Sequence, residues 1–490
     1  MVFAGDFKPV GRSSLRKPRA LLSAILLAAT TFVVGAPAPV ANAAPCIPGA
    51  LMSDNIECLS VIENPGVFGA RFRGNFIYVT GLTGLKIYNV SNSETPVEVG
   101  SLNLPHFENE DVDLGGDILL ISNDAAESKG ILYVIDISDP TQPVERSQLD
   151  MGGNPVFGGA GHTASCILSC KYAWVTDGGS VRVVDLRNPD EPKTLGIFQT
   201  PVGGLAAHDV QTDSSGIAWV AGYDGTAGYR ITKNYKPKAN DPESLAPRVL
   251  TQTNEKAVST YSDEFGLGSG DNYNDFIHHN SFRRKKDNVL FVTEEDYTRP
   301  TCAGAGSFQT WKLPVSGQNK VPNGKKLTPL AKWQTELLTE QPSDPVNPVA
   351  AMCSAHYFTL QNNIVAQGWY EQGTRFLDVS NPEKIRQIGY YILPTSATWA
   401  AHFAPTDENK SIVYVLDASH GIDVLKLTRP AKGSRSAPFV PCQTILCEHN
   451  NKPEKVIADV LPAWSAAPPT YGLEDSRFGY ACRLTYDIDL

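Results

Sequence analysis

The chain lacks the short motifs that mark the commonest enzyme classes. No Gly-x-Ser-x-Gly elbow, phosphate-cradling Gly-Lys-Ser/Thr loop or His-Glu-x-x-His helix occurs in its 490 residues, which removes the usual hydrolase, nucleotide and metalloprotease chemistries. It also lacks a basic cluster. Its 42 Lys and Arg stand against 52 Asp and Glu, a net charge of −10, which makes nucleic acid and anionic membrane surfaces poor partners. After residue 34 no stretch is apolar for long enough to span a bilayer. Asp111-Val-Asp113-Leu-Gly-Gly-Asp117 looks like a calcium loop, but Gly115 and Ser122 hold its fifth and twelfth positions, where ligands are required.

The first residues have the order of a secretory signal: basic (Lys8, Arg12, Arg16, Lys17, Arg19), then apolar over 20–34, then small residues to Ala43. Cleavage is expected after Ala43. Loss of 1–43 removes five basic residues and one acid, so the mature charge becomes −14. Cys46 follows Ala44-Pro45 and does not fit the lipid-anchor rule. The mature protein is thus expected to be secreted, extracellular or at the cell surface, where its nine cysteines should mostly pair. Spacing suggests Cys46 with Cys58, Cys166 with Cys170, Cys302 with Cys353 and Cys442 with Cys447, leaving Cys482. A zinc reading of Cys166-x-x-x-Cys170 lacks a second ligand pair.

The rest is a repeat of strands. Phe76-Ile-Tyr-Val-Thr80 with Leu85-Lys-Ile-Tyr-Asn-Val90 is restated by Tyr172-Ala-Trp-Val-Thr176 with Val181-Arg-Val-Val-Asp-Leu186, and by Ile412-Val-Tyr-Val-Leu416 with Ile422-Asp-Val-Leu-Lys-Leu427. These runs are short, β-branched and aromatic, and are bounded by Gly, Asp and Asn, which marks strands. After the third strand comes an Asx-Pro phrase: Asp136-Ile-Ser-Asp-Pro140, Asp185-Leu-Arg-Asn-Pro189, Asp378-Val-Ser-Asn-Pro382. Units of 40–50 residues with four strands each predict an all-β fold, a β-propeller. Inner strands placed at 69–73, 110–113, 162–165, 208–211, 279–282, 356–359 and 402–405 give seven blades.

The last unit has no fourth strand of its own, and an open ring would expose an edge. The run over 55–62 is expected to close it. Insertions at roughly 232–274 and 314–351 read as surface loops. The propeller should span 44–429, and 430–490 should form an extension packed outside it.

The phrase Val-Ile-Asp-Ile at 134–137, Val-Val-Asp-Leu at 183–186 and Phe-Leu-Asp-Val at 376–379, each followed by its Asx-Pro turn, resembles the LVIVD repeat, a propeller family of exported and surface proteins of bacteria and archaea. The fourth and fifth units depart from it, since Ala227-Gly-Tyr-Arg-Ile-Thr and Ser307-Phe-Gln-Thr-Trp lack the Asp and the turn. The resemblance implies fold and export, and it brings no catalytic residues with it.

Chemistry is hinted at by one other recurrence. Ala-Gly-His162, Ala-Ala-His208, Ile-His278-His279, Ser-Ala-His356 and Ala-Ala-His402 each put histidine at the start of a strand, in four cases behind small residues. Aligned, the inner strands give a column: Arg71, Glu110, His162, His208, His279, His356, His402. Asp111 is an alternative to Glu110. If the column is real, five imidazoles, a guanidinium and a carboxylate converge on the ring axis. The metal ligands would be His162, His208, His279, His356 and His402, and the ion Cu, Fe or Zn, which imidazole suits. The arrangement is similar, in architecture alone, to the carotenoid-cleaving oxygenases and the methanethiol-oxidising selenium-binding proteins. Duplication of one ancestral blade would also repeat a histidine lining a water-filled channel. Arg71 and Glu110 are the candidate substrate contacts: Arg71 either grips a carboxylate or pairs with Glu110. His106, His278 and His420 fall outside the column, and Glu294-Glu295-Asp296 reads as an acidic rim.

Two functions follow. The first is a binding module presenting one face to a protein, glycan or small molecule; the alternative is a metal-dependent oxidase, oxygenase, lyase or hydrolase. A monomer with no membrane span is expected in either case.

Overall fold

The computed structural model describes residues 43–428, apart from 105, 107–108, 127–128, 153–159, 201–206, 224, 231–248, 253–276, 296–305, 315–324, 336–353, 394 and 406–410. The expected signal segment before residue 43, the extension from 430, and Cys302, Cys353, Cys442, Cys447 and Cys482 lie outside the described residues. Every regular element described is a strand, and the strands form seven sheets, antiparallel but for the short parallel pairing of Val249–Gln252 with Lys325–Lys326. The protein is a seven-bladed β-propeller. No helix among the described residues is long and apolar enough to cross a membrane.

The inner strands are Val67–Arg73, Asp111–Gly115, Ala164–Ile167, Ala207–Thr212, Ile277–Arg284, Phe358–Gln361 and Thr398–Phe403, numbered here as blades 1 to 7. Burial grades outward. The second strand of blade 4, Ile217–Gly222, is buried along its whole length, whereas the outermost strand of blade 2, Val144–Gly152, is mostly exposed. A strand covered on both faces reads as a continuous apolar run, and this is why the second strands are the most legible part of the sequence.

The Asx-Pro phrases form paired local turns. Asn89, Asp136, Asp185 and Asp378 each accept from the backbone N–H two residues on, and Asn92, Asp139, Asn188 and Asn381 then do the same. Blades 4 and 5 lack the phrase and draw their fourth strands from within the insertions. Val249–Gln252 and Thr328–Trp333, both inside segments read above as surface loops, are those strands, and Lys325–Lys326 adds a short fifth strand to blade 4.

The ring closes as expected. Ile56–Glu63 pairs antiparallel with Gly421–Leu427 and supplies the outermost strand of blade 7. Cys46–Cys58 ties the segment before it to this strand, and Cys166–Cys170 spans the first hairpin turn of blade 3. Gly421 is required at the closure: its φ is +139°, and a Cβ there would stand 2.2 Å from the Ile62 carbonyl oxygen.

His420, outside the histidine column, sits in the turn before that strand but is largely buried between Asp417 and Asp423, 3.3 and 3.0 Å away. Burial opposes its charge, yet the two carboxylates raise its pKa to about 10. A folded value above the unfolded one, near 6.5, stabilises fully below pH 6.5, and the effect is lost as pH rises through 10. His420→Gln should therefore lower the denaturation midpoint most at pH 6 and progressively less toward pH 10; a pH-independent difference would refute the pairing. Ile62→Ala, in the buried closing strand, should cost about 2–5 kcal/mol in guanidinium unfolding, while Val144→Ala, on an exposed strand, should change stability by less than about 0.5 kcal/mol.

Candidate metal centre at the hub

Depth along the axis is set by hairpin register. In every blade one inner-strand residue pairs with an equivalent residue of the second strand: Ala70 with Val79, Val112 with Ile121, Ala164 with Val175, Val210 with Val220, Ser281 with Val292, Phe358 with Gln367 and Ala401 with Val415. Glu110, His162, His208 and His279 all stand two residues before this level. His356 also stands two before it. Arg71 and His402 stand one after it.

The structure therefore divides the column. Rings of His162, His208, His279 and His356 follow one another at centroid separations of 4.2, 4.3 and 4.0 Å. Glu110 faces them, its Oε1 lying 3.8 Å from His162 Nε2, 3.8 Å from His279 Nε2 and 3.4 Å from His356 Nε2. His402 is not among them. Its ring meets Phe72 edge-on, and the charge it feels is that of Arg71. The phrase Ala-Ala-His misleads in blade 7 because its strand begins at Thr398, four residues before the expected 402. The alanines before His402 lie inside the strand, whereas Ala207 begins the strand of blade 4. Arg71 stands beside Asp111 (3.5 Å) and Asp113 (3.8 Å), so the pairing with Glu110 considered above gives way to these two aspartates.

Glu295 belongs to the hub, not to a rim. Its Oε2 lies 3.6 Å from His208 Nε2 and 3.9 Å from His279 Nε2, and it is 3 % exposed. The second strand runs antiparallel to the first, so its end returns to the level where the inner strand starts: Glu295 pairs with Ile277 and Glu294 with His278. That hairpin arithmetic was the available signal. Tyr370, held at φ +35°, donates its hydroxyl hydrogen bond to Glu295 Oε1. Glu294 turns away to Ser307 and Lys332, and His278 Nδ1 meets the Thr226 hydroxyl at 2.9 Å.

Two groups bring ligand atoms within 4.8 Å of one another, Glu110/His279/His356 and His208/His279/Glu295, and they share His279. His162 Nε2 and His208 Nε2 are 3.0 Å apart. This is a hydrogen-bond distance, and it is also the separation of two ligands at right angles about one ion, each about 2.1 Å from it. His356 Nδ1 lies 2.9 Å from the Trp399 carbonyl oxygen, a bond that needs the proton on Nδ1 and leaves the Nε2 lone pair toward Glu110.

Burial sets the charges. It holds His208 and His279 well below the usual imidazole range and His402 at about 3, with like charge from Arg71 adding to the last. Glu295 is raised to about 7 by burial, against the pull of His356 and Tyr370. Asp111 is raised to about 6 by burial, against Arg71. Neutral imidazoles are the ligand form.

Three stretches match the model of the LVIVD repeat, residues 71–103, 125–150 and 160–200. The chain carries LVIVD repeats. The matched stretches run through blades 1 to 3 and include the phrases at 134–137 and 183–186; the phrase at 376–379 lies outside them. No curated protein matches this LVIVD-repeat chain. Among solved structures, the β-propeller domain of Cps50 (Swd1) from Myceliophteria thermophila is similar at 12 % identity and a TM-score of 0.47, over 76 % of this chain and 99 % of that one. A protein from Lactobacillus plantarum is similar at 11 % identity and 0.46, over 76 % and 96 %.

The hub histidines predict an acid sensitivity opposite in sign to that of His420. His208, His279 and His402 stay neutral in the folded protein but take up protons near pH 6.5 when unfolded, so each removes up to about 1.4 kcal/mol per pH unit as pH falls below 6.5. Urea midpoints should drop steeply from pH 6.5 to 4.5, and His402→Asn should flatten the slope. Parallel slopes would contradict a buried neutral His402.

Proposed function

We propose that this propeller is an exported metalloprotein whose hub holds one transition-metal ion. The ligands are drawn from His162, His208, His279 and His356, with Glu110 and Glu295 as carboxylate ligands or as acceptors that orient the imidazoles. The observation that carries this reading is His279: it is fully buried, and neither ring nitrogen has a hydrogen-bond partner among the described residues, while three other imidazoles and two carboxylates surround it. A buried polar group without a partner costs about 1–3 kcal/mol, and a metal ligand would remove that cost.

Both three-residue groups have two histidines and one carboxylate. That donor set favours Fe(II) or Zn(II) over copper, and in open sites it supports redox or Lewis-acid chemistry on a small substrate. The Cys46–Cys58 and Cys166–Cys170 disulfides support an oxidising compartment, as does the export implied by the LVIVD resemblance.

Metal analysis of the protein purified from its natural compartment should find about one Fe or Zn per chain, lost on joint His208→Ala and His356→Ala replacement. Re-adding the ion at about 100 times its Kd should raise the unfolding free energy by about 2.7 kcal/mol in the unmutated protein alone. Metal-free protein whose stability does not respond to Fe(II), Zn(II) or Cu(II) would refute the metal reading and return the ring to a binding module.

A further inference from the structure

Beyond the four imidazoles, the hub holds polar groups that the metal reading does not use. Tyr357 stands one residue after His356, in the register of Asp111 and Asp209, between the imidazole level and that of Arg71. Its ring packs edge-on against His279 at 4.6 Å and His356 at 4.7 Å. Its hydroxyl is buried and has no hydrogen-bond partner among the described residues. The charges acting on it are Glu110 from the imidazole level, Asp111 and Asp209 from its own register and Arg71 from the level beyond, so the phenol lies between the two levels.

On the second level, His402 Nε2 is likewise buried and without a partner. Among the described residues Arg71 makes one hydrogen bond, from its guanidinium to the Ala70 carbonyl at 3.2 Å. Asp111 and Asp113, at 3.5 and 3.8 Å, are near enough to hold the guanidinium but leave most of its N–H donors unspent. The two levels are three residues apart along the strands, about 10 Å. Access is compatible with this side: Arg71 and Asp113 are partly exposed, and Phe282, one residue after Ser281 and so level with Arg71 and His402, is 43 % exposed.

We propose that a small monocarboxylate binds between the imidazole level and Arg71, accepting hydrogen bonds from the guanidinium and the Tyr357 hydroxyl, with His402 as a further polar contact. In the metal-loaded protein its other oxygen would face the ion, and to that extent the proposal rests on the preceding reading. Convergent donors select an anionic oxygen. The nearby Asp111 and Asp113 disfavour a dianion such as phosphate or sulfate, and the burial of Tyr357 and His402 restricts the ligand to a few heavy atoms.

Formate and acetate, titrated calorimetrically into the metal-analysed protein at constant chloride, test this. Formate should bind the unmutated protein more tightly than inorganic phosphate does. Tyr357→Phe and Arg71→Lys, which preserve volume and charge respectively, should each weaken it at least tenfold with metal content unchanged. Metal-loaded protein that does not bind formate, or binds it equally in all three forms, would overturn the proposal and leave the metal centre standing. Metal-free protein that binds formate in an Arg71- and Tyr357-dependent manner would do the reverse, and metal-free protein indifferent to formate would overturn both.

Discussion

Seven inner strands share one axis, and the lack of room there governs the rest of the structure. A Cβ on Gly69 of blade 1 would stand 2.1 Å from the Glu110 carbonyl oxygen of blade 2, so neighbouring backbones already touch. Under that crowding a side chain cannot choose its depth; the hydrogen-bond ladder of its own hairpin assigns it. One residue of slip moves a group to another level or another face. The result is two chemically distinct levels, imidazole and carboxylate above, guanidinium and aspartate beside them, separated by three residues of strand.

The same crowding makes the hub electrostatically expensive. Glu110, His208, His279, Glu295 and His356 are all buried, and burial pushes each group whose shift is resolved toward its neutral form. A set of neutral imidazoles beside carboxylic groups is poorly satisfied by protein partners alone. Blade 7 shows the contrast: His420 is also mostly buried, yet with Asp417 and Asp423 on either side it is held charged. One residue type thus has opposite acid–base behaviour in two parts of one ring, and the difference lies in the carboxylates: Asp423 stands within hydrogen-bond distance of His420 at 3.0 Å, whereas the hub carboxyl groups stand 3.4–3.9 Å from the imidazoles and Glu295 is itself pushed toward its neutral form.

The fold was legible because its signals are local. Alternating and continuous apolar runs mark strands, and an Asx side chain closes its turn on its own backbone, so the phrases at Asp136, Asp185 and Asp378 needed no distant partner to be read. Where the local phrase is missing, in blades 4 and 5, the outermost strands were mistaken for loop. The site was half legible. Four of the histidines met as their repeat suggested. His402 did not, because identical neighbours in sequence occupied a different rung of the ladder, and Glu295 was overlooked because a strand end followed by more acid looks like surface.

By itself the sequence determined the strand repeat, the Asx-Pro turns and the use of an early strand to finish the last blade, since each is written in residues that act on their immediate neighbours or satisfy a sheet edge. Only the tertiary structure decided which side chains share a level at the axis. Glu295 meets His208 and Glu110 meets His356, because those relations are set by hairpin ladders and blade-to-blade contact between residues as much as 246 positions apart, counting from Glu110 to His356, and no local pattern encodes that distance.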